Sequence, residues 1–519
     1  MPTRRQSHNQ SDPSESSGTR NTPLSSSLEE NMNRIRQDLG GSSDVTIRTI
    51  KLAGADLQIG AVYIDGIVDK ALADSFVSHL TSFKEYGEPE SVVPIAESFF
   101  SFTQEKAISM SKQKEVQDWD SLYTALLSGC TIVIIDGLER GISAEMSGGE
   151  TRPISEAATQ VSIRGSKESF SETIGTNVAL VRRRIKSRDL WTESFQIGRV
   201  TQTTVTMMYV HGLAEDAKID ELRLRLQSIQ TDSILESGYI EQLIEQKKYS
   251  PFPTLFNTER PDSVAGNLLD GRIAVFVDGT PFVLIAPANF FMFLHTVEDY
   301  YQRFDFSTLI RILRLICLII SLFGPALFVA ALNFHQEMIP TPLLINLASQ
   351  REGVPFPTFI EALLMELTFE IIREAGIRLP STIGQTVSII GGLVLGQAAV
   401  EAGIVSPAMV IVVSLTGISS FAMPAFNMAL SIRMLRFVII FMAAFMGLYG
   451  ITIMALILTA HLCSLNSLGS PFMSPAAPFI VKDQKDMIFR APLYFMRNSR
   501  RAKSLSSQGR SGGNSPSED

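Results

Sequence analysis

Residues Thr386–Ser464 read TVSIIGGLVLGQAAVEAGIVSPAMVIVVSLTGISSFAMPAFNMALSIRMLRFVIIFMAAFMGLYGITIMALILTAHLCS, and their only formal charges are Glu401, Arg433 and Arg436. A stretch this long with so few charges cannot form a water-facing domain and belongs in a bilayer. Upstream, Ile312–Phe334 is also long and apolar enough to cross, and Gly324-Pro325 inside it predicts a kink. About 300 residues of ordinary soluble composition precede it. The chain therefore reads as an α/β head followed by an α-helical multi-pass membrane domain.

Four apolar segments are candidates for crossing: Ile312–Phe334, Thr386–Val405, Ala408–Phe426 and Phe437–Leu462. Glu361–Leu379 has helical periodicity but too many charges for a lipid-facing span, so it is expected at the interface or beside a wet cavity. Tyr300 and Tyr301 suit an interfacial belt, and Arg303, Arg311 and Arg314 place the head in the cytoplasm. A basic C-terminal tail on the same side requires an even number of crossings. That reading puts Arg433 and Arg436, just before the last span, on the outer side.

A net charge of −8 gives no sign of a nucleic-acid partner. Cys130, Cys317 and Cys463 and six scattered histidines form no metal-binding or disulfide pattern, so no cofactor is expected. Residues 1–44 are rich in Ser, Asn, Arg and Gln and contain no apolar signal segment. They read as a disordered extension, as does the tail after Asn498.

The head is built twice. Ser121–Gly137 (SLYTALLSGCTIVIIDG) and Ser263–Gly279 (SVAGNLLDGRIAVFVDG) share Ser, Leu-Leu, Gly, Val and Asp-Gly without a gap. Each is a helix pattern, a glycine, a β-branched run and an Asp-Gly hairpin signal of type I′. Val62–Asp69 (VYIDGIVD) and Met208–Glu215 (MYVHGLAE) echo each other more weakly; the offsets are 142 and 146 residues. Two related subdomains follow, 45–150 and 195–305, joined by a connector at 151–194, with the membrane domain at 306–465 and a cytoplasmic segment at 466–519. In the connector, Ser169 and Glu172 fit a capping box, and Ile174, Val178, Val181 and Ile185 mark one helix face. Arg182, Arg183, Arg184, Lys186 and Arg188 cluster at its end, as a helix terminus, or as a docking site for an acidic subunit or anionic lipid.

Within the apolar base, Gln397, Ser414, Thr416, Ser419 and Asn427 are candidates for lining a polar path, against close helix packing as the simpler account. Glu401 is the single acidic group there; as a ring in an oligomer it would favour cations, and in a turn it would merely be solvated. Glu366, Glu370 and Arg373, with Arg182, Arg183 and Arg184, are candidates for intersubunit coupling. The sequence has no Walker loop, zinc motif or GxSxG, so the chain reads as a non-enzyme.

Four stretches resemble the A subunits of bacterial spore germinant receptors, the GerA family. They are SFSETIGTNVALVRRRIKSRDL (Ser169–Leu190), Thr258–Phe304, PTFIEALLMELTFEIIREAGIRLP (Pro357–Pro380) and Gly384–Ser414. The resemblance implies a receptor in the spore inner membrane that starts germination in response to nutrients. It implies partnership with a transporter-like B subunit and a lipoprotein C subunit. It also implies a homo-oligomer, a pentamer, forming a ligand-gated ion channel. The alternatives are a non-conducting scaffold that relays the B subunit's state, and a secondary transporter, for which no inverted repeat is visible.

Overall fold

The computed structural model of the chain describes residues 22–52, 57–81, 92–110, 112–148, 156–157, 159–246, 249–378, 396–481 and 483–492. The first repeat contains α1 (Leu28–Asp38), β1 (Val45–Lys51), β2 (Gln58–Ile64), α2 (Lys70–Leu80), α3 (Val92–Met110), β3 (Gln113–Val116), α4 (Trp119–Leu126), β4 (Cys130–Ile135) and β5 (Gly141–Glu145). The second contains α5 (Ile174–Arg184), β6 (Leu190–Ile197), β7 (Thr203–Val210), α6 (Asp216–Gln227), α7 (Ser237–Ile244), β8 (Phe256–Thr258), α8 (Pro261–Leu269), β9 (Ile273–Val277) and β10 (Val283–Ala286).

Each repeat forms a five-stranded sheet, in the orders β1-β2-β4-β5-β3 and β6-β7-β9-β10-β8, all neighbours antiparallel. The same topology is threaded twice, down to the register. Ile59 pairs with Ile135 in the first sheet and Val205 with Val277 in the second. These positions differ by the 146 and 142 residues read from the sequence.

The central strands are apolar on both faces because both faces are covered. Along β4, Val133 and Ile135 join one cluster beside α2 and α3, while Ile132 and Ile134 join another beside α1 and α4. Along β9, Val275 and Val277 pack beside α6 and α7, while Ala274 and Phe276 pack beside α5 and α8. The period-2 alternation of side chains does the sorting.

The N-terminal residues depart from the sequence reading. Leu28, Met32 and Ile35 of α1 are buried against β2, each worth about 1.5–3 kcal/mol. That apolar stripe offsets the ordering entropy of a polar-looking segment, so the repeat begins before residue 45. α1 corresponds to α5, which makes the basic helix the opening element of the second repeat.

Its start also differs from a capping box. The N-cap is Thr173, and the Ile174 N–H donates to Asp278 of the following hairpin at 3.1 Å. In the first repeat the Leu28 N–H donates to Asp136 at 3.0 Å. The two Asp-Gly sequences therefore cap the leading helices through loops 136–140 and 278–282, longer than a two-residue turn. Gly137 and Gly279 take φ of +88° and +89°, a conformation that glycine adopts without strain.

Arg182 joins the repeats. It is 1% exposed and donates to both carboxylate oxygens of Asp44, at 2.5 and 2.7 Å. Arg184 bonds Ser166 and Glu168, and Arg183 reaches the Gly148 carbonyl. Arg182 is closed to any neighbour, whereas Arg183 and Arg184 remain exposed.

The helical part contains α9 (Glu298–Tyr301), α10 (Phe304–Phe334), α11 (Thr341–Arg351), α12 (Thr358–Arg378), α13 (Gly396–Glu401), α14 (Pro407–Phe421) and α15 (Phe426–Ser464). Phe290–Leu294, Phe472 and α5 share one buried cluster with α10, α14 and α15. The second repeat and the helical base therefore pack as one body.

Candidate functional site

A charged collar ties the head to the base. Asp299 accepts from Arg314 at 2.7 Å and from Arg311 at 3.3 Å, and Arg311 also donates to Asp486 at 2.9 Å. Tyr300 donates to Asp486 at 2.7 Å, and Arg490 donates to the Tyr300 carbonyl at 3.1 Å. The C-terminal segment is thus bolted to the start of α10; of the tyrosines expected at a lipid interface, Tyr300 is a hydrogen-bonding part of the collar and Tyr301 donates to Asp262 of α8 at 2.9 Å. Burial raises the Asp299 carboxyl, but the Arg314 hydrogen bond and charge outweigh it and leave the group below its usual range. Burial, with the Arg311 charge, pushes His295 down to about 4, so its ring is neutral where it meets the Met487 carbonyl at 2.7 Å.

Among the described residues, α10 and α15 are long and apolar enough to cross a membrane, and α14 is a shorter apolar helix. α15 is two helices. Gly447 has φ +55° and ψ −137°, outside helical space, and a side chain on Gly450 would run into the Met442 carbonyl. The chain doubles back there: Ser431 bonds the Pro251 carbonyl and His461 meets Ser250 at 3.0 Å, so both ends of α15 lie against one head loop. The turn packs on Phe334 and His335 at the far end of α10. The expected single span Phe437–Leu462 is therefore an antiparallel pair. Gly447 can make the reversal because only glycine tolerates that backbone.

The remaining contacts fix helix directions. Thr358 donates to Asn333 at 2.9 Å at the far end, and Glu366 meets Arg436 midway. α12 thus runs back toward the head. Gly403 lies beside Gly353, and Ser406 donates to Glu361 at 2.9 Å, so α14 also starts at the far end. Its Gly417 and Phe421 reach Phe369 of α12.

The charges of α12 are consumed inside the chain. Arg436 donates to Glu366 at 2.6 Å and to the Ser321 carbonyl at 2.7 Å. Arg433 donates to Glu370 at 3.1 Å, and Arg373 pairs with the same carboxylate. Glu361 accepts from Arg351 and Ser406. Glu366 and Glu370 therefore tie α12 to α15, while the Arg373 pair stays within α12. Arg433 and Arg436 sit in the head-side half of the hairpin, not on the outer side. Composition showed too many charges for lipid; the opposite charges that neutralise them lay on a distant helix.

The expected path residues divide. Thr416 bonds the Val412 carbonyl and abuts Gly324 of α10; Ser419 is buried, and both serve packing in this chain. Ser414 is exposed on α14. Gln397 and Glu401 are exposed one turn apart on α13, hydrogen-bonded at 2.8 Å. The part of Thr386–Val405 before Gly396 lies outside the described residues. Asn427, at the start of α15, hydrogen-bonds Glu241 of α7. That contact escaped sequence reading because its partner is in the head. Burial, helped by Glu245 and Glu236, pushes Glu241 up to about 7.

The GerA family model, described as Bacillus/Clostridium GerA spore germination protein, matches residues 33–502. The chain is 48% identical over 487 residues to spore germination protein KA of Bacillus subtilis (strain 168), covering 93% of this chain and 88% of that protein. It is 46% identical over 480 residues to the uncharacterized membrane protein YfkQ of the same organism, with 91% of each covered. Spore germination protein A1, also from that organism, is 39% identical over 431 residues, 82% of this chain and 89% of that protein. Among solved structures, the N-terminal domain of the A subunit of the Bacillus megaterium spore germinant receptor GerK3 is 45% identical. That match covers 52% of this chain and 98% of that one at a TM-score of 0.40.

Proposed function

Since this chain belongs to the GerA family of spore germination proteins, we propose that it is the A-type subunit of a nutrient germinant receptor and contributes an ion path in the spore inner membrane. The observation that carries this reading is the Gln397–Glu401 pair. The buried charges of the base are matched inside the chain, whereas this amide and carboxylate are uncovered on α13. Glu401 ends α13 beside the far-end turn at Gly403, where a water-filled space between copies of the chain would keep its carboxylate solvated. A ring of Glu401 at the far mouth would then attract cations.

Among the described residues the helix directions support more passes than the four expected from hydropathy. α10 leaves the head, α12 and α14 return, and the halves of α15 leave and return. Head and C-terminal segment then share the cytoplasmic side. The B and C subunits would bear on the head or collar, with the pentamer as the oligomer of choice.

Potassium release from spores carrying Glu401→Gln tests the reading, with receptor levels checked by blot. Slowed release at normal levels supports it. Unchanged release favours the scaffold reading, in which this chain relays a partner's state without conducting.

A further inference from the structure

The contact between the two repeats has a vacant copy. α5 lies on the turn after β2. A Cβ on Gly66 (φ +82°) would come within 3.0 Å of both the Ala179 side chain and the Gly175 carbonyl. Beside it Ile67 is 5% exposed, and Arg182 grips Asp44. Each component recurs 145 or 146 residues later or earlier.

Gly212 (φ +78°) stands where Gly66 does, yet nothing lies within 4 Å of its Cβ position. Leu213 replaces Ile67 and is 41% exposed. Asp189 replaces Asp44: its carbonyl accepts the His211 N–H at 2.7 Å, as that of Asp44 accepts the Asp65 N–H at 2.8 Å. The Asp189 side chain is 53% exposed and, among the described residues, bonds its sequence neighbours Ser187 and Arg188 alone. Arg36, in the last turn of α1, replaces Arg182; it is exposed and has no ion pair among the described residues.

The socket of the first repeat is filled by α5, while the corresponding socket of the second is open among the described residues. The helix that would fit it, α1, carries the matching arginine on an uncovered face. Among the described residues Arg36 has no ion-pair partner, and Asp189 has only the exposed contact with its neighbour Arg188. We infer that the Asp189–Gly212–Leu213 surface is the docking site for α1 of a second copy of this chain, with Arg36 of one subunit bound to Asp189 of the next. This is a heterologous contact, using different surfaces on the two partners, and successive copies would extend it into a closed ring. Complementary charge supports that occupant, and so does continuity with an interface the chain already makes to itself. The inference rests on the oligomeric part of the reading above and not on conduction.

Two full-length variants test it in membranes, one carrying Arg36→Cys and the other Asp189→Cys. Co-expressed with Cys130, Cys317 and Cys463 replaced by serine, and treated with a bifunctional thiol cross-linker that spans the reach of an arginine, they should give a cross-linked pair that neither gives alone. Separately, Arg36→Asp or Asp189→Arg should weaken self-association about tenfold by placing like charges together, and the double reversal should restore it. No mixed cross-link, cross-linking by either variant alone, or assembly unaffected by both reversals would overturn the docking site. If the unaltered chain still assembles in those cases, the ion-path reading stands without this interface. A chain that is monomeric throughout removes both.

Discussion

Arg436 and Glu366 form a closed ion pair between α15 and α12, at 2.6 Å with each side chain about 2% exposed. Removing one partner strands the other charge in the interior. Arg436→Met should therefore cost about 3–5 kcal/mol. The double replacement Arg436→Met with Glu366→Leu should recover most of that loss. Thermal unfolding of the detergent-solubilised chain would read both; equal losses in the single and double variants would show that the pair contributes nothing through its charge.

The Asp136 and Asp278 caps make a local prediction. Alanine at either position removes a bond to the first turn of one helix, worth about 0.5–2 kcal/mol. Amide exchange should accelerate by about tenfold in α1 for Asp136→Ala and in α5 for Asp278→Ala, each without the other. Equal acceleration of both helices would mean that the repeats do not open independently.

The doubled head was legible because its strand–turn units recur at nearly constant spacing, and the observed registers follow those offsets. α1 was overlooked because its surroundings are polar. The usable signal was Ser25-x-Ser27 followed by Asn31 and Arg36, echoing Ser171-x-Thr173, Asn177 and Arg182. Asn31 and Asn177 even make the same bonds, each donating to the carbonyl of the serine six residues earlier at 2.6 Å. The reversal at Gly447 could not be read from composition, since apolar residues flank it on both sides and no polar turn marks it. In the candidate site, Glu401 stood out by its rarity, whereas the Asn427–Glu241 contact joins residues that no local pattern relates.

Glu241 couples the head to pH. Its folded-state value of about 7 lies above its ordinary 4.5, so the folded chain binds the extra proton between those values. The stabilising contribution is therefore present at low pH and lost as pH rises through about 7. Glu236, Glu245 and Asn427 are the groups that face it. Proteolytic protection of α7 should fall between pH 5 and pH 8 (roughly the span of the shift), and Glu241→Gln should flatten that dependence. A flat profile in the unaltered chain would refute it.

Gly447→Ala should disturb the hairpin. A side chain there meets Phe334 at 3.0 Å and His335 at 2.9 Å, on a backbone that alanine adopts at a cost of about 1–3 kcal/mol. The expected outcome is a reduced receptor level and a lower melting temperature of the detergent-solubilised chain. No change in either would mean that the reversal does not depend on glycine.

The most direct measurement is current through the purified chain in a planar bilayer, without any other subunit. The account predicts cation-selective openings whose selectivity falls when Glu401 is replaced by glutamine. A well-assembled oligomer that passes no current, in any condition where the complete receptor conducts, would contradict it.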